Sequence, residues 1–317
     1  MTGSEYEDIP AAWDWDMIPG ITTDYRGTNL TCDPVYDVGV EPFVGGASDG
    51  KIGVAAMQFS KPQSSRAFRF RKAWFFLEDD VQHVMVSGIQ RTRGDEPVYS
   101  VFDQRRYAGS LMVDDAQVAF PTTQTNIARS SLWHGSVGYS FPNLEPTDLG
   151  LSIQAGRRTG TWSAIGTSTQ PPVQADIFAA WIQHTNLTTP LSYTIFPGVT
   201  FDQFRTKRGS VRVRTIGNDE VVSAIYHQNR NVAAFIFWGE EGGEAKFTPA
   251  SGGEITVSVD ANVVVIFRVG DRELTVSDPS QTVKTVRVVV RQGSSTSNVT
   301  FDLPTDGMVG WSVTKKL

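Results

Sequence analysis

A single cysteine, Cys32, stands among 317 residues, which excludes an internal disulfide and any metal site built from several thiolates. Its expected place is the interior, as a small apolar side chain. No apolar run approaches the roughly 18 residues of a membrane-spanning helix, and no segment keeps a helical apolar period over three turns. Histidine is scarce: His83, His134, His184 and His227 are all there are, and their spacings fit neither a metal-binding helix nor a knuckle. Nucleophile elbow, P-loop and dinucleotide fingerprint are absent, as are tandem repeats and low-complexity tracts beyond Gly293 to Ser297. Formal net charge is −6 and the Lys and Arg are scattered, so the clustered basic face that a nucleic-acid backbone requires is missing. A local cleft can still be basic on an acidic protein. Met1 to Asp8 has neither a basic nor an apolar leader pattern. The expectation is that export by that route does not occur or that a front segment is missing.

What is present describes a packed protein. Hydrophobic residues at 40% and charged residues at 20% are globular, not disordered, values, and the length admits two domains. Trp13 to Tyr25 reads Trp-Asp-Trp-Asp-Met-Ile-Pro-Gly-Ile-Thr-Thr-Asp-Tyr. If extended, it points Trp13 and Trp15 to one side and Asp14 and Asp16 to the other. Pro19-Gly20 then supplies the fixed and the free φ of a type II turn.

Residues 26 to 50 are turn-rich, with Gly27, Asp33-Pro34, Gly39, Pro42 and Gly45-Gly46. Ile52 to Met57 suits a strand buried on both faces. Phe68 to Leu77, the acidic turn Glu78-Asp79-Asp80, and Val81 to Ile89 predict a hairpin. Ser131 to Phe141 reads as one strand ending at Pro142-Asn143. Gly156 to Ile165, Phe178 to His184 and Tyr193 to Gly198 are further blocks of strand character. The polar, basic Phe204 to Gly209 interrupts them and marks a boundary. Beyond it, strands are predicted at Val211 to Ile216, Val221 to His227, Val232 to Trp238, Glu254 to Val259, Val263 to Val269 and Val283 to Val290. Their close spacing indicates a small β-sandwich. The fold expected is all-β, a large antiparallel sandwich over 1–205 and a small one over 206–317.

Several blocks, in this order, resemble polysaccharide lyase family 8, the hyaluronate, chondroitin and xanthan lyases. They are Tyr6-Glu7-Asp8 with Trp13-Asp14-Trp15 and Ile18-Pro19-Gly20-Ile21-Thr22-Thr23; Phe43-Val44-Gly45-Gly46; and Arg71-Lys72-Ala73-Trp74-Phe75-Phe76 with its acidic turn. Val86-Ser87-Gly88-Ile89 and Val98 to Arg105 follow, then the four blocks between Ser131 and Gly198, and finally Asp278-Pro279 in Val276 to Gln281. The resemblance implies a central β-sandwich followed by a small C-terminal β-domain. It also implies β-elimination on an acidic polysaccharide, without an obligatory cofactor, and an extracellular location. In the family an asparagine, a histidine, a tyrosine and an arginine come from a helical toroid, and a glutamate from the start of the β-domain. This chain has no toroid, and Glu5 and Glu7 stand in the wrong context to carry over as that glutamate. The expectation is that the chain alone has little or no lyase activity and that its partner is a missing or separate helical catalytic domain.

Residue chemistry apart from the resemblance points the same way. His134 and Tyr139, five apart in one predicted strand, fall on opposite faces. The Asp14/Asp16 and Glu78-Asp79-Asp80 groups read as a hydrated strand face and a turn, although a facing pair in a groove would suit glycoside hydrolysis. No catalytic residue and no metal ligand is assigned. Sugar binding has better material: flat Trp and Tyr faces, and Arg105-Arg106 or Arg157-Arg158 to meet carboxylates or sulfates bidentately. Trp74, Trp181 and Trp238 lie inside apolar runs and read as core. Trp13, Trp15, Arg105 and Arg106 are the candidate substrate-binding residues. The alternative is a non-catalytic carbohydrate-binding or structural β-sandwich protein, which upstream helical sequence with the catalytic set would disfavour. The sequons at Asn29, Asn186 and Asn298 are compatible with secretion.

Overall fold

The computed structural model describes residues 3–27, 39–61, 68–92, 94–141 and 144–317. Cys32, the Asn29 sequon, Asp33-Pro34 and Pro142-Asn143 lie outside the described residues. The fold is all-β with antiparallel sheets. The chain gathers into two compact units that interleave in sequence. The first takes Met1–Val38, Arg91–Thr189 and Ile195–Arg208; the second takes Gly39–Gln90, Pro190–Thr194 and Gly209–Leu317.

The first unit is built on a five-stranded sheet in the order Thr22–Asp24, Val98–Arg106, Val173–His184, Leu149–Gly160, Thr122–Ile127. Its two longest members pair over their full length, Leu149 opposite His184 through Gly160 opposite Val173. Along Val173–His184, Ala175, Ile177 and Ala179 alternate with polar or lining residues. Phe178, Ala180 and Ile182 are buried on the other face, where Leu151 and Ile153 also bury. A second run of strands, Val137–Ser140, Ser131–His134, Leu111–Val113 and Ala116–Val118, completes the unit.

Three expectations are corrected here. Ser131 to Phe141 is a hairpin, not one strand, because Gly135 and Ser136 both take positive φ, the signature of a two-residue hairpin turn. Leu132 therefore pairs with Tyr139 and His134 with Val137, and the reversal brings His134 and Tyr139 onto one face. Trp13 to Tyr25 is not a strand with two faces. Pro10–Ala12 is a short 3-10 turn, residues 13–20 are bends and turns, and only Thr22–Asp24 is extended. Pro19-Gly20 does make the expected turn: the Ile21 N–H donates to the Ile18 carbonyl at 3.3 Å and Gly20 has φ +85. The polar stretch around Phe204 is a helix, Phe201–Ser210. Its capping box is complete: Gln203 N–H donates to Thr200 Oγ1 at 3.3 Å and Thr200 N–H to Gln203 Oε1 at 2.8 Å.

In the second unit a six-stranded sheet runs Val213–Asn218, Val222–His227, Val232–Phe237, Val264–Arg268, Glu273–Ser277, Val313–Lys316. Facing it is a four-stranded sheet of Gly243–Phe247, Ile255–Val259, Thr285–Gln292, Ser295–Asp302. Every second residue enters the core between them: Ala224 and Tyr226, Phe235 and Phe237, Val265 and Phe267, Val257 and Val259, Val288 and Val290. The strands Val44–Ser48, Gly53–Ser60, Phe68–Leu77 and Val81–Arg91 lie side by side in that order. Phe43 closes on Trp238 at 5.6 Å, and Gln58 Nε2 donates to the Trp238 carbonyl at 3.0 Å. The acidic turn 78–80 is there, with Asp79 and Asp80 at positive φ. Its carboxylates meet arginines: Arg268 bridges Glu78 and Asp49, and Arg230 bridges Glu78 and Asp79.

Candidate functional site

A cleft of about 510 Å³ opens in the first unit beside the entry segment. Strand register builds its floor. Ser152 lies opposite Trp181, and Trp181 opposite Val101, so Gln154 and Arg158 of one strand, Trp181 of the next and Tyr99 of the third share one face. The entry segment supplies the rim with Trp13, Asp14, Tyr25 and Arg26. Trp181, expected in the core, packs partly buried against Met17, Val101 and Ala179 and also lines the cleft. The aromatic rings form a chain: Tyr25 to Tyr99 at 4.9 Å, then Tyr99 to Trp181 at 5.6 Å, with the Arg26 guanidinium 5.0 Å from the Tyr25 ring centre.

One fully buried side chain, Gln104, locks rim to floor. Its Nε2 donates to the carbonyls of Asp14 (2.8 Å) and Met17 (3.0 Å); its Oε1 accepts from the Asp14 N–H and from Arg158 Nη1, both at 2.9 Å. Arg158 Nη2 donates to Gln154 Oε1 at 2.6 Å. Burial pulls the Arg158 pKa down, with Asp14 opposing. Asp14 and Asp16 are not a hydrated strand face: Asp14 Oδ1 accepts the Asp16 N–H at 3.1 Å, and Asp14 Oδ2 accepts the Tyr25 hydroxyl at 2.7 Å. Burial, and then the hydrogen bond to Asp14, push the Tyr25 pKa up to about 12. Burial also raises the Tyr99 pKa, and burial together with Asp14 raises that of Asp16. The indole N–H groups of Trp13 and Trp181 are shielded from solvent and have no acceptor among the described residues. Such donors are rare in folded proteins.

The four expected binding residues separate. Trp13 lines the cleft, and Trp15 packs edge-on against it at 5.3 Å, 37% exposed, with Nε1 donating to the Pro10 carbonyl. Arg105 is 5% exposed. Its fork is spent on Asp103, Nε to Oδ1 at 2.8 Å and Nη2 to Oδ2 at 2.5 Å, and Nη1 donates to the Gly135 carbonyl. Arg106 donates to the Glu7 carbonyl and tethers the entry segment. Of the second pair named by sequence, Arg157 forms a surface ion pair with Asp176, while Arg158 enters the cleft. Tyr25, Arg26, Tyr99 and Gln154 were not anticipated: they converge through cross-strand register, and no local spacing signals that.

Acid-base chemistry finds little here. Tyr25 holds its proton more tightly than a free tyrosine, the wrong direction for a general base. Burial pushes His83 and His134 down to about 4, and lowers His227 despite the nearby Asp79. Buried His184 has Nε2 2.8 Å from Ser100 Oγ. No group of three His, Cys, Asp or Glu suited to a metal ion occurs among the described residues. The arrangement can present ring faces, fixed amides and two guanidinium groups, Arg26 and Arg158: a recognition surface.

Known proteins align with this architecture. Residues 1–208 match the model of the polysaccharide lyase family 8 super-sandwich domain, and residues 214–287 that of the family's C-terminal β-sandwich domain. Chondroitinase-AC of Pedobacter heparinus is 27% identical over 324 residues, covering 100% of this chain and 44% of that protein. A hyaluronate lyase of Staphylococcus aureus is 26% identical over 177 residues, 54% of this chain and 21% of that one. Among solved structures, a chondroitinase AC lyase superposes with a TM-score of 0.83 at 24% identity, covering 98% of this chain and 45% of that one. A Paenibacillus xanthan lyase gives 0.79 at 19%, covering 97% and 31%. The chain thus spans less than half the length of these relatives. With both family domains matched in order over most of its residues, the chain belongs to polysaccharide lyase family 8.

Proposed function

We propose that this chain is the β-domain portion of an extracellular polysaccharide lyase that acts by β-elimination on an acidic, uronate-containing polysaccharide of the hyaluronan, chondroitin or xanthan type. Elimination removes the proton on the carbon next to the uronate carboxylate and breaks the bond to the leaving glycosidic oxygen, leaving a carbon-carbon double bond. The carboxylate must be neutralised, and an acid and a base must flank the sugar. The 317 residues supply recognition, with ring faces at Trp13, Tyr99 and Trp181 and cations at Arg26 and Arg158, while a helical catalytic partner supplies proton transfer. The observation that carries this division is the lining of the cleft. Among the described residues it holds no histidine, and its carboxylate, Asp14, already accepts from the Asp16 N–H and the Tyr25 hydroxyl.

Incubating the chain with hyaluronan, chondroitin sulfate and xanthan, and following the ultraviolet absorbance of unsaturated uronate, tests the reading. The expected result is no rise together with salt-sensitive binding of one polymer, weakened by Arg158→Met. A protein-dependent rise would overturn the division of labour. No rise and no binding would overturn the recognition role.

A further inference from the structure

The second unit carries a groove of its own, of about 260 Å³, over the strands Gly53–Ser60, Phe68–Leu77 and Val81–Arg91. Gln58 lies opposite Arg71 and Ser60 opposite Arg69, so Gln58, Arg69 and Arg71 project from one face. Phe59 and Phe70, stacked at 5.0 Å and 25° on the opposite face of the same strands, border the groove. Arg71 is the odd member. It is half-buried, Glu220, Asp219 and Glu41 pull on its charge, and its guanidinium makes no hydrogen bond to any described residue. A guanidinium partly withdrawn from water with donors to spare favours a ligand that accepts from it. The backbone makes room for it there. Gly88 sits at φ +61, and a Cβ on it would lie 2.7 Å from Arg71 Nη1.

The other polar groups are half-committed. Gln58 spends its amide N–H on the Trp238 carbonyl and keeps its oxygen. Gln90 spends its oxygen on Arg69 and keeps its amide N–H. The carboxylates of Glu41 and Glu220 line the same space. The groove therefore offers both donors and acceptors, and its formal charges cancel, two arginines against two glutamates. A polyanion gains from the arginines but is opposed by the glutamates. A neutral pyranose suits the set: each hydroxyl both donates and accepts, which planar Arg, Gln and Glu groups satisfy in pairs.

We propose that this groove is a second carbohydrate site, one that takes a neutral hexose or N-acetylhexosamine unit, with Arg71 and Glu220 as its principal contacts. It goes beyond the lyase reading: it concerns a different unit and a ligand of different charge, so either can fail without the other.

The test is titration of the 317-residue chain with methyl glycosides of glucose, galactose, N-acetylglucosamine and N-acetylgalactosamine, read by saturation-transfer NMR and calorimetry, with heparin as an anionic comparison. At least one neutral glycoside is expected to saturate at a roughly millimolar Kd, insensitive to salt. Arg71→Met and Glu220→Gln should each weaken it by about tenfold or more, and Gly88→Ala, which crowds the guanidinium, should do the same. Melting curves check that the variants fold. Glu220 is exposed, so Glu220→Gln decides the matter even if the other two do not fold. Absence of saturable glycoside binding, or binding that neither Arg71→Met nor Glu220→Gln changes, overturns the proposal. So does salt-sensitive heparin binding lost in Arg71→Met with no glycoside bound, which would make the groove an anion site.

Discussion

The C-terminal sandwich of the second unit and the cleft of the first hold themselves together by different means. In the sandwich, alternate residues of two sheets meet and the core is apolar throughout, from Val222 and Phe235 to Val288 and Phe301. Its stability is spread over many contacts, each weak and none directional. The cleft relies on a few directional bonds. Gln104 alone ties Asp14, Met17 and Arg158, and Asp14 holds the Tyr25 hydroxyl. Bulk burial shapes a domain without placing any one atom accurately, whereas a recognition surface needs particular atoms held in particular places. Substitutions in the two regions should therefore differ in kind as well as in size.

The largest effect is expected in the sandwich. Phe235 is fully buried between the two sheets, 5.9 Å from both Phe237 and Phe247. Phe235→Ala should cost about 3–5 kcal/mol through lost burial and a residual cavity. Urea unfolding followed by fluorescence should show the midpoint fall in one cooperative step, with amides throughout the sandwich losing protection together. If only the amides next to residue 235 lost protection, the picture of a shared core would break.

Gln104→Leu should have a smaller and more local effect. The leucine fills similar volume but strands the Asp14 N–H and two carbonyls, for about 1–3 kcal/mol where a buried group is left unpaired. Hydrogen exchange should speed up between Asp14 and Gly20 while the sandwich amides keep their protection. Uniform loss in both regions would erase the contrast between a directional lock and a spread core.

The same contrast governs what the sequence discloses. The C-terminal strands were legible because burial writes itself as alternation: the expected Val221 to His227 and Val232 to Trp238 are found as Val222–His227 and Val232–Phe237. Gly243–Phe247, Glu273–Ser277, Ser295–Asp302 and Val313–Lys316 were missed: the first and the last two have polar outward faces and few apolar positions, and Glu273–Ser277 is only five residues long. The hairpin at His134 was misread because Gly135-Ser136 is a turn hidden inside an apolar run. The helix had its signal in Thr200-Phe201-Asp202-Gln203, a capping box that a search for apolar period does not see. Trp13, named with Trp15, Arg105 and Arg106 as a flat or charged sugar-binding candidate, lines the cleft, and the two arginines do not. Tyr99, Gln154, Arg158 and Trp181 meet only after three strands take their register, and one-dimensional spacing does not carry that information.

The smallest expected effect sharpens the comparison most. Tyr25→Phe removes one hydroxyl from a half-exposed ring and leaves its contact with Tyr99 in place. At neutral pH the loss should be about 0.5–1 kcal/mol, the worth of one partly hydrated hydrogen bond. The pH dependence is more specific. The folded pKa of Tyr25 stands at about 12, against an ordinary value of 10.0, so the folded state holds the proton more tightly than the unfolded one. That stabilisation is complete below pH 10 and is lost as pH rises through about 12. Thermal melts of the two proteins should therefore differ by a constant amount up to about pH 10 and converge above it. A gap that stayed constant through the alkaline window would mean that the hydroxyl is not held by Asp14. The cleft would then be shaped by packing, as the sandwich is, and not by directed bonds.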